Sequence, residues 1–441
     1  MNKKALSLPI LISLVVGNMI GTGIYLLPAS LAEYGTLSIL SWVYTSIGAI
    51  LLALTFVHLN KRFPKTGGPY IFCKEAFGRL VGFVIAYTYW ISYLISIAGI
   101  AVSSIGYLGF ISPVFDANNT AYNPQFVLLI EIAIVWLFTL INIIGIHTAG
   151  VVQLFLTIIK ILPLLIVTII GIGSIKFDNL MMFSTSATTS HFTAISSAAA
   201  LTFWAFIGLE SATVPAENTE GPRDIYKATM WGTILTSVIY IASTIVLMGM
   251  IPITALKTSQ FPFATAGTML FGNHAAFIIA ICAVISGLGA LNACVLVQGQ
   301  IVFAAARDHL FPRVFAKLSK HDVPVAAQLL SSSLISILLF FTIEPSLLKQ
   351  FNNIALLASL LTLVTYLVTT LAEIKFVLLG KLSFSHILFS KSLFISILAA
   401  AYSIWMISSL DMNTIVVGCI LMLLCIPIYV FIVRKYAEPI S

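Results

Sequence analysis

Long apolar runs, separated by short polar or basic stretches, recur from one end of the chain to the other. About 20 apolar residues in a helix suffice for a bilayer core of roughly 30 Å. Twelve runs qualify, at about 9–32, 37–59, 81–110, 126–146, 151–173, 193–216, 228–252, 275–301, 323–343, 351–373, 392–410 and 414–433. They predict an all-α polytopic membrane protein with twelve transmembrane helices. No soluble domain or low-complexity tract interrupts them. The chain therefore reads as a single transmembrane domain over 1–441, with helices 1–5 at about 9–173, helices 6–10 at about 193–373 and helices 11–12 at about 392–433. The longest basic connection, Ala305–Pro324, is amphipathic enough to predict a short interfacial helix.

Composition agrees with the pattern. Of 441 residues, 60% are hydrophobic and 8% charged, more apolar surface than a soluble domain of this size can hide. The net charge of +7 could suggest nucleic acid, but its distribution argues otherwise. With the N-terminus inside, eighteen Lys and Arg fall on the inner side and three (Lys176, Lys257, Lys349) on the outer side. This bias places both termini in the cytoplasm and explains the net charge through loops that face the inner membrane surface. The first run, after Lys3 and Lys4, is too long for the core of a secretory signal. Cys73, Cys282, Cys294, Cys419 and Cys425 form no CxxC or Cys/His cluster and read as small core residues, not disulfides or metal ligands. No HExxH, phosphate-binding loop or GxSxG motif is present, so neither an enzyme nor a cofactor is expected.

Three places break the rules for membrane helices. In "GNMIGTGIYLLP" (Gly17–Pro28) three glycines fall within seven residues at the middle of the first run. Each costs about 1 kcal/mol relative to alanine in a helix. Gly17 and Gly21 have the spacing of close helix packing. The Gly21-Thr22-Gly23 triplet points instead to a broken helix, which is tolerated at that depth only inside protein or beside a wet cavity. In "FWAFIGLESATVPAEN" (Phe203–Asn218), Gly208 and Glu210 lie just past the centre of the sixth run. A carboxylate there costs about 2.5–3.5 kcal/mol on insertion scales and is either functional or hydrogen-bonded inside the bundle. Lys160 lies near the middle of the fifth run, too deep for its ammonium to reach water easily. It is either a fixed charge held by carbonyls or a group that gains and loses a proton.

Interruptions in helices 1 and 6, five spans apart, are what a five-plus-five inverted repeat would give. A broken helix exposes N–H groups where its second half starts and C=O groups where its first half ends. The two ends suit the carboxylate and the ammonium of an amino acid. Tyr89, Trp90 and Tyr93 could line a cavity or simply pack. Asn292 could bond across helices or face a substrate. Glu131 and Glu373 fall near span ends, from which they can reach the headgroups.

The stretches "GNMIGTGIYLLPASLA", "PKTGGPYIFCKEAFG", "WAFIGLESATVPAENTEGPRD" and "AAARDHLFP", in order along nearly the whole chain, resemble the amino acid–polyamine–organocation transporter superfamily. The resemblance is greatest to its bacterial basic amino acid/polyamine antiporters, of the arginine/agmatine exchanger type. It implies that the amides around Gly21, Thr22 and Gly23 hold the substrate carboxylate, and that the carbonyls of Met19, Trp204 and Ile207 hold the α-amine. It also implies that Asn18 belongs to the site, that Trp204 gates it, and that Glu210 takes part in the pH response. Three positions depart from the arginine exchangers. Ile97 replaces an asparagine, Cys294 a tryptophan and Ala358 a serine, so the distal pocket has lost polar contacts and an apolar wall. Lys160 departs too; a lysine there is similar to proton-coupled permeases of the superfamily, in which it replaces a sodium ion.

Together these readings lead to an expected function. The chain is expected to be a secondary active amino acid transporter of a bacterial cytoplasmic (inner) membrane. It works by alternating access and is coupled to protons through Lys160 or Glu210. The alternative within that class is an electrogenic antiporter exchanging a cationic amino acid for its decarboxylated amine. Outside it stands an amino acid sensor that transports nothing. The expected partners are a small amino acid, an amine counter-substrate, protons, the lipid bilayer and, by resemblance to the antiporters, a second copy in a homodimer.

Overall fold

The structure, a computed structural model, describes residues 6–116, 119–180, 190–342, 347–379 and 386–436. Lys3, Lys4 and Lys381, three of the cations counted on the inner side, lie outside the described residues. The fold is all-helical. In chain order the helices are α1 Leu8–Met19, α2 Gly23–Leu31, α3 Leu37–Arg62, α4 Pro69–Phe77, α5 Arg79–Gly106, α6 Pro124–Ile144, α7 Ile146–Gly171, α8 Phe177–Leu180 and α9 His191–Trp204. They continue as α10 Pro222–Met250, α11 Ile253–Thr258, α12 Pro262–Phe271, α13 Asn273–Arg307, α14 Val325–Phe341, α15 Leu347–Leu378, α16 His386–Ser408, α17 Met412–Leu423 and α18 Cys425–Tyr436. Among the described residues there is no strand, only an isolated bridge between Leu6 and Thr219.

Ten segments are long and apolar enough to cross a membrane. Two of the twelve expected runs fall short of that length. The sixth is a 14-residue helix, α9, that ends at Trp204, and the ninth is the 17-residue α14. In the first case the chain unwinds where Gly208 takes a φ of 99°, a left-handed value that glycine adopts at little cost. The first run also divides, at Ile20–Thr22, between α1 and α2.

α2 is buried along its whole length, whereas the outer helices turn one face outward. On α7, Phe155, Ile158 and Leu162 are exposed, as suits a lipid-facing stripe, while Gln153, Thr157 and Lys160 are buried on the other side. Capping is local where loops begin helices. The Asn123 side chain accepts from the Phe126 N–H at 3.1 Å ahead of α6, and Asp411 accepts from the Thr414 N–H at 2.9 Å ahead of α17.

Two expectations are corrected. Glu131 and Glu373 do not reach the headgroups; both are buried. Glu373 accepts from the Ser392 hydroxyl at 2.7 Å and lies 3.0 Å from His58 Nδ1, so helix packing, not span length, sets its place. Ala305–Pro324 forms no interfacial helix. α13 runs on to Arg307, His309 adopts a positive φ of 57°, and after Pro312 only a single turn, Arg313–Ala316, is helical. All five cysteines are free. Cys419 is exposed and Cys294 lies at the centre of the molecule, so they are not uniformly core residues.

Candidate functional site

The two interruptions meet. Between α1 and α2, Ile20 is extended and the chain makes no helical turn until Gly23. The N–H groups of Gly21, Thr22 and Gly23 meet no backbone acceptor among the described residues. They stand at the N-terminus of α2, where unpaired amides and the helix dipole favour an anion. The C-terminal end of α1 is closed from the other side. Lys160 Nζ on α7 donates to the Gly17 carbonyl at 2.7 Å and to the Ile20 carbonyl at 2.5 Å. The amine is fully buried, and the two carbonyls at the negative end of the half-helix satisfy it.

The second interruption supplies the opposite wall. Ile207 N–H bonds the Trp204 carbonyl at 3.2 Å, and Tyr240 on α10 donates its hydroxyl to the carbonyls of Met19 at 2.5 Å and Ala205 at 3.1 Å. One tyrosine thus ties the two breaks together. Asn18 Nδ2 donates to Ser211 Oγ at 2.5 Å, that hydroxyl donates to the Gly208 carbonyl, and Cys294 Sγ on α13 donates to Asn18 Oδ1 at 3.1 Å. The indole of Trp204 lies directly over Gly23. A Cβ on Gly23 would stand 2.6 Å from Trp204 Nε1, which is why only hydrogen fits there. Phe351 on α15 backs the indole edge-on at 5.9 Å.

Between these walls is a small hollow, part of it open to the outside. Of the expected residues, Asn18, Met19, Gly21, Gly23, Tyr93, Trp204, Ile207 and Cys294 line it. The Thr22 side chain is not on the wall, its hydroxyl being held by Ser103 at 2.9 Å and Ser104 at 3.0 Å, while its N–H stays among the unpaired amides of the break. Ile97 and Ala358 are fully buried and off the wall. The sequence reading missed Ile24, Ser96, Ile100 and Ala205, which also line the hollow. Helical spacing holds the signal for two of them. From Tyr93, one side of α5 runs through Ser96, Ile97 and Ile100, at i+3, i+4 and i+7, and of these Ser96 and Ile100 reach the wall.

Glu210 lies next to the hollow but not on its wall. Its carboxylate is fully buried and receives hydroxyl hydrogen bonds from Tyr89, Tyr366 and, at 3.2 Å, Tyr93. Among the polar residues the sequence left open, Tyr89 and Tyr93 belong to this cage. Trp90 instead donates to Ser331 Oγ at 2.9 Å. Asn292 serves packing: it accepts from Asn142 at 3.0 Å and donates to the Ala149 carbonyl at 3.1 Å and Gln153 Oε1 at 3.2 Å.

A polytopic helical bundle with two broken helices facing one central hollow defines a membrane carrier. The chain belongs to the amino acid permease family, whose model matches residues 6–436. It is 32% identical over 426 residues to a protein of Haemophilus influenzae named putrescine transporter PotE, covering 96% of each chain. It is 32% identical over 363 residues to the Escherichia coli protein of the same name, covering 81% of each. It is also 31% identical over 371 residues to the Escherichia coli cadaverine/lysine antiporter, covering 82% of this chain and 81% of that one.

Proposed function

We propose that this permease is a secondary active transporter that binds an amino acid between its two interrupted helices and releases it by alternating access. The observation that carries this reading is the set of unpaired amides at Gly21–Gly23 facing the Trp204–Ile207 turn across the hollow. The amides take the substrate carboxylate. The Ile207 carbonyl, which has no partner among the described residues, takes the α-amine, with the second lone pairs of the Met19 and Trp204 carbonyls beside it. Trp204 closes over the bound molecule. In this reading α9 with its unwound continuation is the sixth span and α14 the ninth, giving twelve spans and a five-plus-five inverted repeat in one transmembrane domain. The protein lies in a bacterial inner membrane with both termini in the cytoplasm.

Protons drive the cycle through Lys160. While protonated it clamps the end of α1 through charge-assisted bonds to two carbonyls; without its proton two N–H groups remain but the charge is gone, so the grip weakens and the half-helix is released. Glu210, held by three tyrosines, is the second candidate for the coupling. Lys160→Ala is expected to abolish uptake driven by an imposed pH gradient in proteoliposomes while exchange of labelled substrate persists. Equal gradient-driven uptake by mutant and parent would remove the lysine from the mechanism. The names of the relatives favour a second reading, exchange of a cationic amino acid for its amine. Counterflow separates the two, since an exchanger needs substrate on the far side and a symporter does not.

A further inference from the structure

Four serines punctuate the buried length of α5 in the neighbourhood of the site. Ser92 donates to the Tyr89 carbonyl at 2.8 Å, and Ser103 and Ser104 both donate to the Ile100 carbonyl, at 3.2 and 2.5 Å. Ser96 does not follow them. Its hydroxyl is buried, lines the hollow and has no hydrogen-bond partner. A hydroxyl in that position normally bonds back to its own helix; several other buried side chains also lack a partner, Thr88 on the same helix among them, but of these Ser96 alone lines the hollow. Around Ser96 the wall is largely apolar: Ile24, Ile100, Ile207 and the thiol of Cys294. No carboxylate lines it. The nearby acid, Glu210, already accepts from three tyrosines, and of those only Tyr93 reaches the wall.

We propose that the hollow takes an uncharged L-amino acid with a short hydroxyl-bearing side chain, and that Ser96 is the residue that recognises that hydroxyl. The proposal rests on the transporter reading above and names its substrate class. The backbone amides and carbonyls at the two breaks hold the zwitterion, leaving the side chain to face Ser96. A serine hydroxyl both donates and accepts, so it pairs with another hydroxyl in either sense. A second ammonium, as in a diamine or a lysine, would lose its hydration against isoleucine side chains with no anion on the wall to replace it. The pocket therefore differs in kind from one built for the cations in the relatives' names.

Threonine and valine have nearly the same shape and differ by one hydroxyl, so their ratio reads the Ser96 contact alone. The purified full-length protein is titrated by thermal shift with L-threonine, L-serine, L-valine, L-alanine, L-lysine, L-ornithine and putrescine, and uptake of the same compounds is measured in proteoliposomes. Threonine is expected to half-saturate at about tenfold lower concentration than valine, the worth of one good hydrogen bond. Ser96→Ala should bring the two within about twofold, by weakening threonine and relieving the unpaired hydroxyl that valine leaves, and a melting-temperature shift with valine shows that the variant is folded. If it fails to fold, the threonine-to-valine ratio of the parent decides. Equal affinities in the parent, an unchanged ratio in Ser96→Ala, or tightest binding of lysine, ornithine or putrescine each overturns the proposal. In the last case the transporter reading stands. If no amino acid or amine shifts the melting temperature or enters the vesicles, that reading fails as well.

Discussion

Single atoms decide the shape of the site, and Gly23 shows how. Its missing side chain lets Trp204 Nε1 sit where a Cβ would be, and Phe351 prevents the indole from simply backing away, since that Cβ would also lie 3.2 Å from Phe351 Cζ. An alanine there must push the ring into the hollow or tilt Phe351. Either movement alters the surface that covers the substrate, while the helix itself gains a better former than glycine. Gly23→Ala is therefore expected to keep or raise the melting temperature of the empty protein and to weaken substrate binding by about tenfold or more, as overpacking of about 1–3 kcal/mol would. A parallel loss of stability and binding would show that the residue matters to folding, not to the gate.

At the scale of elements, the legible part of the fold was whatever periodicity and broken rules could express. The interruption in the first run was readable because Gly21-Thr22-Gly23 stands at the middle of an apolar segment, and the second because Gly208 and Glu210 do so in the sixth. Gly17 proved to serve the packing reading as well. A Cβ there would fall 1.8 Å from Gln153 Nε2, so α1 both packs closely on α7 and breaks two residues further on. Which face of α5 lines the hollow was not legible from resemblance alone. Ile97 is the position that the resemblance marks, and Ser96 and Ile100 beside it are the ones on the wall. Ala358 on α15 likewise lies buried behind the wall. The roles of Tyr240 and Tyr366 were invisible too, since their partners lie far along the chain. A polar ladder has the same long-range character: Asn142, Asn292 and Gln153 join α6, α13 and α7, and Gln153 continues to Thr157 Oγ1 at 3.1 Å, one turn from Lys160. Asn292→Leu removes the shared member and leaves Asn142 and Gln153 without that partner. The expected result is a loss of about 1–3 kcal/mol, read as a fall in melting temperature, with threonine-to-valine selectivity unchanged. An unchanged melting temperature would mean that the ladder contributes nothing net.

For the whole molecule, the question is what holds one end shut while the hollow is formed. At the end where the sequence assigns the basic loops, α4, the end of α13 and the segment after the second break are joined by charged contacts. Arg307 grips Glu217 through two bonds of 2.6 and 2.7 Å, and Lys74 Nζ donates to Asp308 Oδ2 at 2.7 Å. Tyr70 adds its hydroxyl to Asp308 at 3.2 Å, and the Gly67 N–H bonds the Val214 carbonyl at 2.9 Å. Each partner of the Arg307–Glu217 pair is 40% exposed, so salt screens it and its worth is modest, but the fork geometry gives it direction. The hydrogen bonds from Arg307 are the main reason the Glu217 carboxyl is held below the usual carboxylate range. A depressed value means that the stabilisation is present at neutral pH, above the unfolded value near 4.5, and is lost as pH falls through the folded value below it. If this pair latches the molecule, Glu217→Gln loosens that end at neutral pH. The hollow carries its own reporter in Cys294. In a variant retaining only that cysteine, Glu217→Gln should raise the rate of labelling by a membrane-impermeant thiol reagent from the basic-loop side by about twofold to fivefold, the range a pair of this exposure supports. Substrate should suppress that labelling, and as pH falls below about 4.5 the difference between the Glu217 protein and Glu217→Gln should close, each rate being taken relative to that of a free thiol at the same pH, because only the thiolate reacts. Labelling that is equal in both, at every pH, would show that the Arg307–Glu217 pair is not a latch.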